Sequence, residues 1–246
     1  LEASFNMTPT RWTNLKTKVN LAKQRLGPTI HEESKAITKD LKEFSFIING
    51  LHEDISSAGL FDRTCDYDKA LSLIDDFFER YNGLVDQAED LKQLQELLES
   101  NVVDFTILTN CRLTLTHLKQ TWKVIKEIRR KHSEWKSIRW QRVNIKQTVE
   151  ETDHELEAIA ALPNECQIWD IIYGIKKEIA DIKSCLPIIE EIANPAMRTR
   201  HWKQLVRVSG GNTLIDNESL KTLTFGQLLE LNLHSHIEEV KLIVQK

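Results

Sequence analysis

Glycine and proline are scarce. The chain has 246 residues, of which 8 are Gly and 5 are Pro. An average chain carries roughly 12% of the two together, more than twice as much. Antiparallel sheets need Gly, Pro or Asn-Gly turns at short intervals. A sandwich, a barrel and a collagen repeat are therefore excluded, and an α/β enzyme with several Gly-rich phosphate loops is disfavoured. Long helices remain, because a helix interior penalises both residues. An excess of one charge is also lacking. Lys+Arg number 33 against 37 Asp+Glu, a net charge of −4, which argues against a dedicated nucleic-acid binder. Cysteine is limited to Cys65, Cys111, Cys166 and Cys185, without CxxC spacing and without a recognisable secretory signal. That usage predicts reduced thiols in an intracellular setting. The triplets Asn6-Met7-Thr8 and Asn217-Glu218-Ser219 are accordingly read as chance, not as glycosylation sites. No apolar run approaches the roughly 18 residues that a membrane span needs.

Hydrophobic residues at 41% and charged residues at 28% fit a folded chain with a sizeable core. Their spacing predicts an all-α fold. A first helix is expected from Thr10 to Leu26, stopped by Gly27-Pro28. A second is expected over Glu32 to Ile55, where Ile37, Leu41, Phe44, Ile47, Ile48 and Leu51 step by three and four. Ser56 to Asp68, with Gly59, reads as a loop. A long helix follows from Asp68 to Glu99; its tail, Leu84-Ala88-Leu91-Leu94-Leu98, comes close to a heptad step. Asn101 to Leu118 has some strand propensity but helical flanks, and it is read as helix. Further helices are expected through Trp122 and Ile128, through Val149 and Ile159, and through Ile168 to Ile182 after the Leu162-Pro163-Asn164 break. Pro187 and Pro195 are expected to bracket a short helix, with another from Arg198 to Val208. Ser209-Gly210-Gly211-Asn212 is the strongest turn signal. Thr224 is placed to cap a helix through Leu228, and a last helix is expected from about Ser235 to Lys246. Both ends fall in helical patterns, so the chain reads as a piece of a longer polypeptide.

Catalytic machinery is not visible. Gly210-Gly211 is followed by Asn212-Thr213, without the lysine of a phosphate-binding loop. There is no GxSxG elbow. His234-Ser235-His236 places two imidazoles at i, i+2, which diverge on a helix, and no cysteine is near. Acid pairs such as Glu190-Glu191 and Glu238-Glu239 suit solvated helix faces. No catalytic, cofactor-binding or metal residue is assigned. Charge is nevertheless segregated: nine acids face two bases between Asp75 and Asp104, and ten bases face two acids between Lys119 and Lys146. Trp122, Trp135 and Trp140 interleave with the basic run. Stacking on nucleic acid would need those rings exposed; the favoured reading makes them core anchors and makes the charge a guide to helix neighbours or to a protein partner.

The last third of the chain is recognisable. Asn194-Pro195-Ala196-Met197-Arg198-Thr199-Arg200-His201-Trp202-Lys203-Gln204-Leu205 resembles the NPALRxRHWxxL signature of dynein heavy chains, with Met197 where Leu is common. The run from Trp169 through Lys176-Lys177 to Leu186-Pro187-Ile188-Ile189 is similar to the family segment that leads to LPLI. Leu223-Thr224-Phe225-Gly226-Gln227-Leu228-Leu229-Glu230-Leu231-Asn232-Leu233 resembles its LTLGDLLxLxL stretch. The Leu-Asn-Leu-His ending looks more axonemal than cytoplasmic.

The resemblance implies elongated helical bundles, with long helices followed by shorter linker helices. Residues 1–105 would be stem and residues 106–246 the N-terminal part of the linker, truncated at its C-terminus. The parent chain would be a minus-end-directed microtubule motor of cilia or flagella. Its AAA+ ring, with ATP and Mg, would lie beyond Lys246, so this part would be tail neck and mechanical lever, not enzyme, and would hold no cofactor. Implied partners are that ring, intermediate and light chains, other heavy chains and, through the parent chain, microtubules; nucleic acid and membrane are not among them. The implied location is the axoneme, after assembly in the cytoplasm. The rival reading is a self-contained helical scaffold or tether that binds other proteins.

Overall fold

A computed structural model describes residues 2–98, 100, 102–193, 197–208, 222–231 and 233–244. Among them the chain is all-α. The helices are α1 (Glu2–Ser57), α2 (Tyr67–Leu97), α3 (Thr106–Ser137), α4 (Ile145–Ala160), α5 (Asp170–Ile192), α6 (Thr199–Val208), α7 (Phe225–Glu230) and α8 (Ile237–Val244). Short 3-10 turns occur at Trp140–Arg142, Asn164–Ile168 and Leu233–His236. Asn194-Pro195-Ala196, the Ser209-to-Asn212 turn and the Asn217 triplet lie outside the described residues.

Three expected breaks are corrected. Gly27-Pro28 does not stop a helix; α1 runs through it. Proline fixes φ near the helical value and removes one N–H. Residues 11–33 are all exposed, so water can take the carbonyl left without a partner. Pro187 likewise lies inside α5 and starts no new helix. The segments around Leu113 and Trp122 are one helix, α3, not two. Real ends are marked by capping chemistry. Gly59 turns the chain after α1 at φ 68°, a left-handed conformation that suits glycine. The Asp66 carboxylate accepts from the Asp68 and Lys69 amides at the start of α2 (3.1 and 3.3 Å). Asn144 caps α4 by accepting from the Gln147 amide (3.3 Å). Thr224 and Gln227 form a reciprocal capping box on α7.

The chain divides into two compact units. Unit 1 comprises residues 1–58 and 75–113. Ile37, Phe44, Ile48, Leu51 and Ile55 form the buried face of α1, and Phe77, Tyr81 and Leu84 that of α2. Phe44 meets Phe105 edge-on at 5.0 Å. Arg80 bonds Asp54 at 2.7 Å across the two helices. Towards the end of α2, Leu94 is 44% exposed while Gln95 is buried. The less exposed positions there are Leu84, Ala88, Leu91, Gln95 and Leu98, so the near-heptad spacing holds with Gln95 in place of the expected Leu94.

Unit 2 comprises residues 59–74 and 114–246. Trp122, Ile125, Ile159, Ile171, Ile175 and Ile179 are fully or almost fully buried in it. The Trp122 indole N–H donates to the Leu60 carbonyl (3.0 Å). The Ile171 amide donates to Phe61 O (3.0 Å), and Phe61 packs edge-on against Trp169 at 5.0 Å. These contacts dock the 59–66 loop on the start of α5. Ile168, expected on the apolar stripe of that helix, instead sits in the preceding 3-10 turn and is 86% exposed.

Candidate functional site

The three recognisable runs converge on one core. It gathers Ile182, Leu186, Ile189 and Ile192 of α5 with Trp202, Leu205 and Val206 of α6. Leu223, Phe225, Leu228, Leu231 and Leu233 enter it from the α7 region, and Val240 and Ile243 from α8. Trp135 and Trp140 close it from the end of α3 and the turn beyond. Trp202 meets Trp140 edge-on at 5.4 Å, a geometry that aromatic rings favour. Trp122, Trp135 and Trp140 are all buried, so the tryptophans of the basic run anchor the core and present no stacking platform.

Backbone bonds tie distant segments together here. Residues 138–140 and 223–225 form an isolated antiparallel bridge at Arg139 and Thr224. The Trp140 amide donates to Leu223 O (3.2 Å) and the Phe225 amide to Ile138 O (2.8 Å). This brings the start of α7 hard against the end of α3. A Cβ on Gly226 would lie 3.0 Å from both the Cβ and the carbonyl oxygen of Lys136. A larger residue there would have to push the Lys136 backbone aside, so the close approach favours glycine.

Polar groups beneath this core are arranged for holding, not for turnover. His132 on α3 and Glu155 on α4 are buried, with His132 Nε2 2.9 Å from Glu155 Oε2. One turn further on, the Trp135 indole N–H donates to Glu151 Oε2 (3.1 Å), and Gln147 donates to Glu151 Oε1 (2.8 Å). The His132 and Trp135 rings stack at 5.2 Å. On α6, Arg200 Nε donates to Nε2 of the buried His201 (2.9 Å). Arg200 thus braces its neighbour. Burial pushes the thiols of Cys65, Cys111 and Cys166 up from their ordinary value, Cys65 with added repulsion from Asp66. Raised thiols are poor nucleophiles at neutral pH. All four cysteines are free. Among the described residues no group of three or more His, Cys, Asp and Glu is placed to hold a metal ion. None of the described helices is long and apolar enough to cross a membrane.

The basic run has local partners. Lys126 reaches Asp68 (4.0 Å), Arg129 the Arg63 carbonyl (3.5 Å), and Arg130 the acids Glu127 and Glu134 of its own helix. Two features escaped sequence reasoning. The His132–Glu155 pair carried a signal in retrospect: His132 and Trp135 at i, i+3 on one helix face Glu151 and Glu155 at i, i+4 on the next. The second is the first half of α1. Trp12, Leu15, Val19, Leu26 and Ile30 are 43–64% exposed on it. Around them stand Arg11, Lys16, Lys18, Lys23 and Arg25, with no acid between Ala3 and His31.

The comparisons with known proteins agree with the motifs. The family described as "Dynein heavy chain, N-terminal region 2" matches residues 108–246. The chain belongs to the dynein heavy chain family, in a region outside the ATPase ring. It is similar to the "Dynein beta chain, ciliary" of Tripneustes gratilla, 26% identical over 97% of this chain. It is similar to "Dynein axonemal heavy chain 9" of Homo sapiens, 25% identical over 97%. "Dynein beta chain, flagellar outer arm" of Chlamydomonas reinhardtii is 25% identical over 99%. In each case this chain spans about 5% of the relative's length.

Proposed function

We propose that this chain is the stem-to-linker part of an axonemal dynein heavy chain, a microtubule motor of cilia or flagella. Residues 1–105 belong to the stem and residues 106–246 to the first part of the linker; the family match, which begins at residue 108, supports that division. The chain works as tail neck and lever. ATP and Mg act in the AAA+ ring of the complete heavy chain, and this segment passes the resulting movement on to the stem. The observation that carries the reading is the single core built from α5, α6, α7 and α8. Close-packed helices transmit displacement with little loss, and all three family motifs contribute to this core. Partners on this reading are the ring of the same chain, intermediate and light chains, and other heavy chains. The exposed apolar stripe on the first half of α1 supports association with other chains. On this reading the chain is assembled in the cytoplasm and works in the axoneme; the ciliary and flagellar relatives support the axoneme.

The reading is tested by ATP turnover of the purified 246-residue chain. No turnover above buffer is expected. Turnover that survives purification and scales with chain concentration would overturn it.

A further inference from the structure

Residues 11–33 of α1 are all exposed, although the helix continues into the part that packs in unit 1. Their order follows a heptad. Trp12, Leu15, Val19, Ala22 and Leu26 step by three and four, which sets them at a and d positions. The four larger ones are 46–64% exposed. In the same register Arg11, Lys18 and Arg25 fall at g, and Lys16 and Lys23 fall at e. Every e and g position from Arg11 to Leu26 is therefore basic. The b, c and f positions hold Thr13, Asn14, Thr17, Asn20, Leu21 and Gln24, without a charge. A surface helix usually carries its charges on that outward face, opposite the apolar stripe. Here the charges flank the seam, where paired helices set partner choice.

That placement selects the occupant. A second copy would bring bases against bases in either orientation. In a parallel pair g faces e, and in an antiparallel pair like flanks face each other. The acidic run of α2 is already engaged, since Leu84 and Gln95 of its seam are buried within unit 1. A lipid surface takes a broad apolar face; the stripe here is narrow and is thinned by Ala22. Nucleic acid would neutralise the bases but leave the apolar seam uncovered. What matches both features is a helix with apolar a and d residues and with Asp or Glu at e and g.

We propose that residues 11–26 form a docking seam for an acidic amphipathic helix of another polypeptide. The two helices pair over about two heptads, and the carboxylates of the partner meet the five bases on both flanks. The proposal rests on the reading of this chain as part of a larger motor assembly, and it states the chemistry of one partner.

The test uses the 246-residue chain and three acetylated, amidated peptides of three heptads, each heptad written from g to f. The first repeats Glu-Ile-Ala-Ala-Leu-Glu-Gln, with Glu at e and g. The second repeats Ala-Ile-Glu-Glu-Leu-Ala-Gln, which has the same composition with Glu at b and c. The third repeats Lys-Ile-Ala-Ala-Leu-Lys-Gln. Affinity is read from the fluorescence anisotropy of labelled peptide, and the place of binding from hydrogen exchange. The first peptide is expected to bind about tenfold or more tightly than either of the others. It is expected to protect amides of residues 11–26 and to leave those of Trp140 and Phe225 unchanged. Leu15→Gln with Val19→Gln is expected to abolish binding; both side chains are exposed, so far-ultraviolet circular dichroism should stay helical. Lys16→Glu, Lys18→Glu, Lys23→Glu and Arg25→Glu together are expected to turn the preference to the lysine peptide. Equal affinity for the first and second peptides would overturn the proposal, because only register separates them. So would self-association of the chain through residues 11–26, or binding to phosphatidylserine vesicles that the first peptide does not displace. In a complete heavy chain freed of its partner polypeptides, residues 11–26 are expected to exchange fast; protection there would also overturn it, since the seam would be covered by its own chain. None of these measurements involves ATP, so their failure is distinct from failure of the lever reading.

Discussion

Trp202 gives the sharpest prediction about what holds the linker-like region together. Its side chain is 3% exposed and sits where α5, α6 and α7 meet, edge-on to Trp140. Replacing it with Ala removes the indole from a core that cannot collapse freely. Four helices and the 138–140/223–225 bridge fix its walls. Large-to-small changes of this kind cost about 3–5 kcal/mol, of which the aromatic pair supplies about 0.5–1.5 kcal/mol. Trp202→Ala is expected to lower the stability of unit 2 by about 4 kcal/mol, within that same range. Trp202→Phe, which keeps a ring against Trp140, is expected to lose less. Trp12 is the control: it is 64% exposed, so Trp12→Ala is expected to change stability by no more than about 0.5 kcal/mol. Two compact units need not unfold together, so a single melting curve is not enough. Hydrogen exchange resolves the question locally. The amides of Trp140 and Phe225 bond across the bridge to Leu223 O and Ile138 O; their protection should fall sharply in Trp202→Ala. Retained protection, or a loss below about 1 kcal/mol in urea, would refute the claim that this core is one cooperative unit.

Other predictions follow from single contacts. Gly226→Ala should destabilise by about 1–3 kcal/mol, because the new Cβ meets Lys136 at 3.0 Å. Gly83→Ala, where nothing lies within 4 Å, should stabilise by about 0.5–1 kcal/mol; thermal melts compare the two. His132→Ala leaves Glu155 buried without its partner and should cost about 3–5 kcal/mol, whereas His132→Leu combined with Glu155→Leu should recover most of it in denaturant titrations. Cys65, which is only partly buried, should be alkylated first in the native chain; Cys111, Cys166 and Cys185 should react only after unfolding, as mass spectrometry of iodoacetamide adducts will show. The three raised thiols also set a pH dependence. Their ordinary value is 9.0 and burial raises it, so their contribution to stability is complete below pH 9.0 and is lost as pH rises through the folded-state values. Urea midpoints measured at rising alkaline pH should fall for the wild type, and should fall less for Cys111→Ala and Cys166→Ala.

How much of this was legible depends on the kind of signal. The all-α class followed from the scarcity of Gly and Pro, and α2 was placed to within two residues by the Ala70–Ile74–Phe77–Tyr81 stripe. Breaks were harder. Pro28 and Pro187 read as stops because proline removes an N–H, but one lost bond does not end a helix that has water or packing to compensate. Thr-rich 101–118 hid the continuity of α3, since β-branched residues weaken local helix preference without forbidding it. The family motifs were readable as strings, yet the reason for Gly226 was not. It lies in the backbone of Lys136, ninety residues away in sequence. The His132–Glu155 pair escaped for the same cause: its meaning depends on two helix faces meeting. Charge segregation was visible as counts, but the described partners of Lys126, Arg129 and Arg130 are local.

The central claim is that this segment carries force and does no chemistry. The measurement that tests it most directly puts Trp202→Ala into a complete heavy chain and records ATP turnover and microtubule gliding on the same preparation. The account predicts that basal ATP turnover persists while gliding velocity falls several-fold, because the lever is loosened and the ring is not. Gliding at the wild-type velocity, or loss of turnover and gliding in equal proportion, would contradict it.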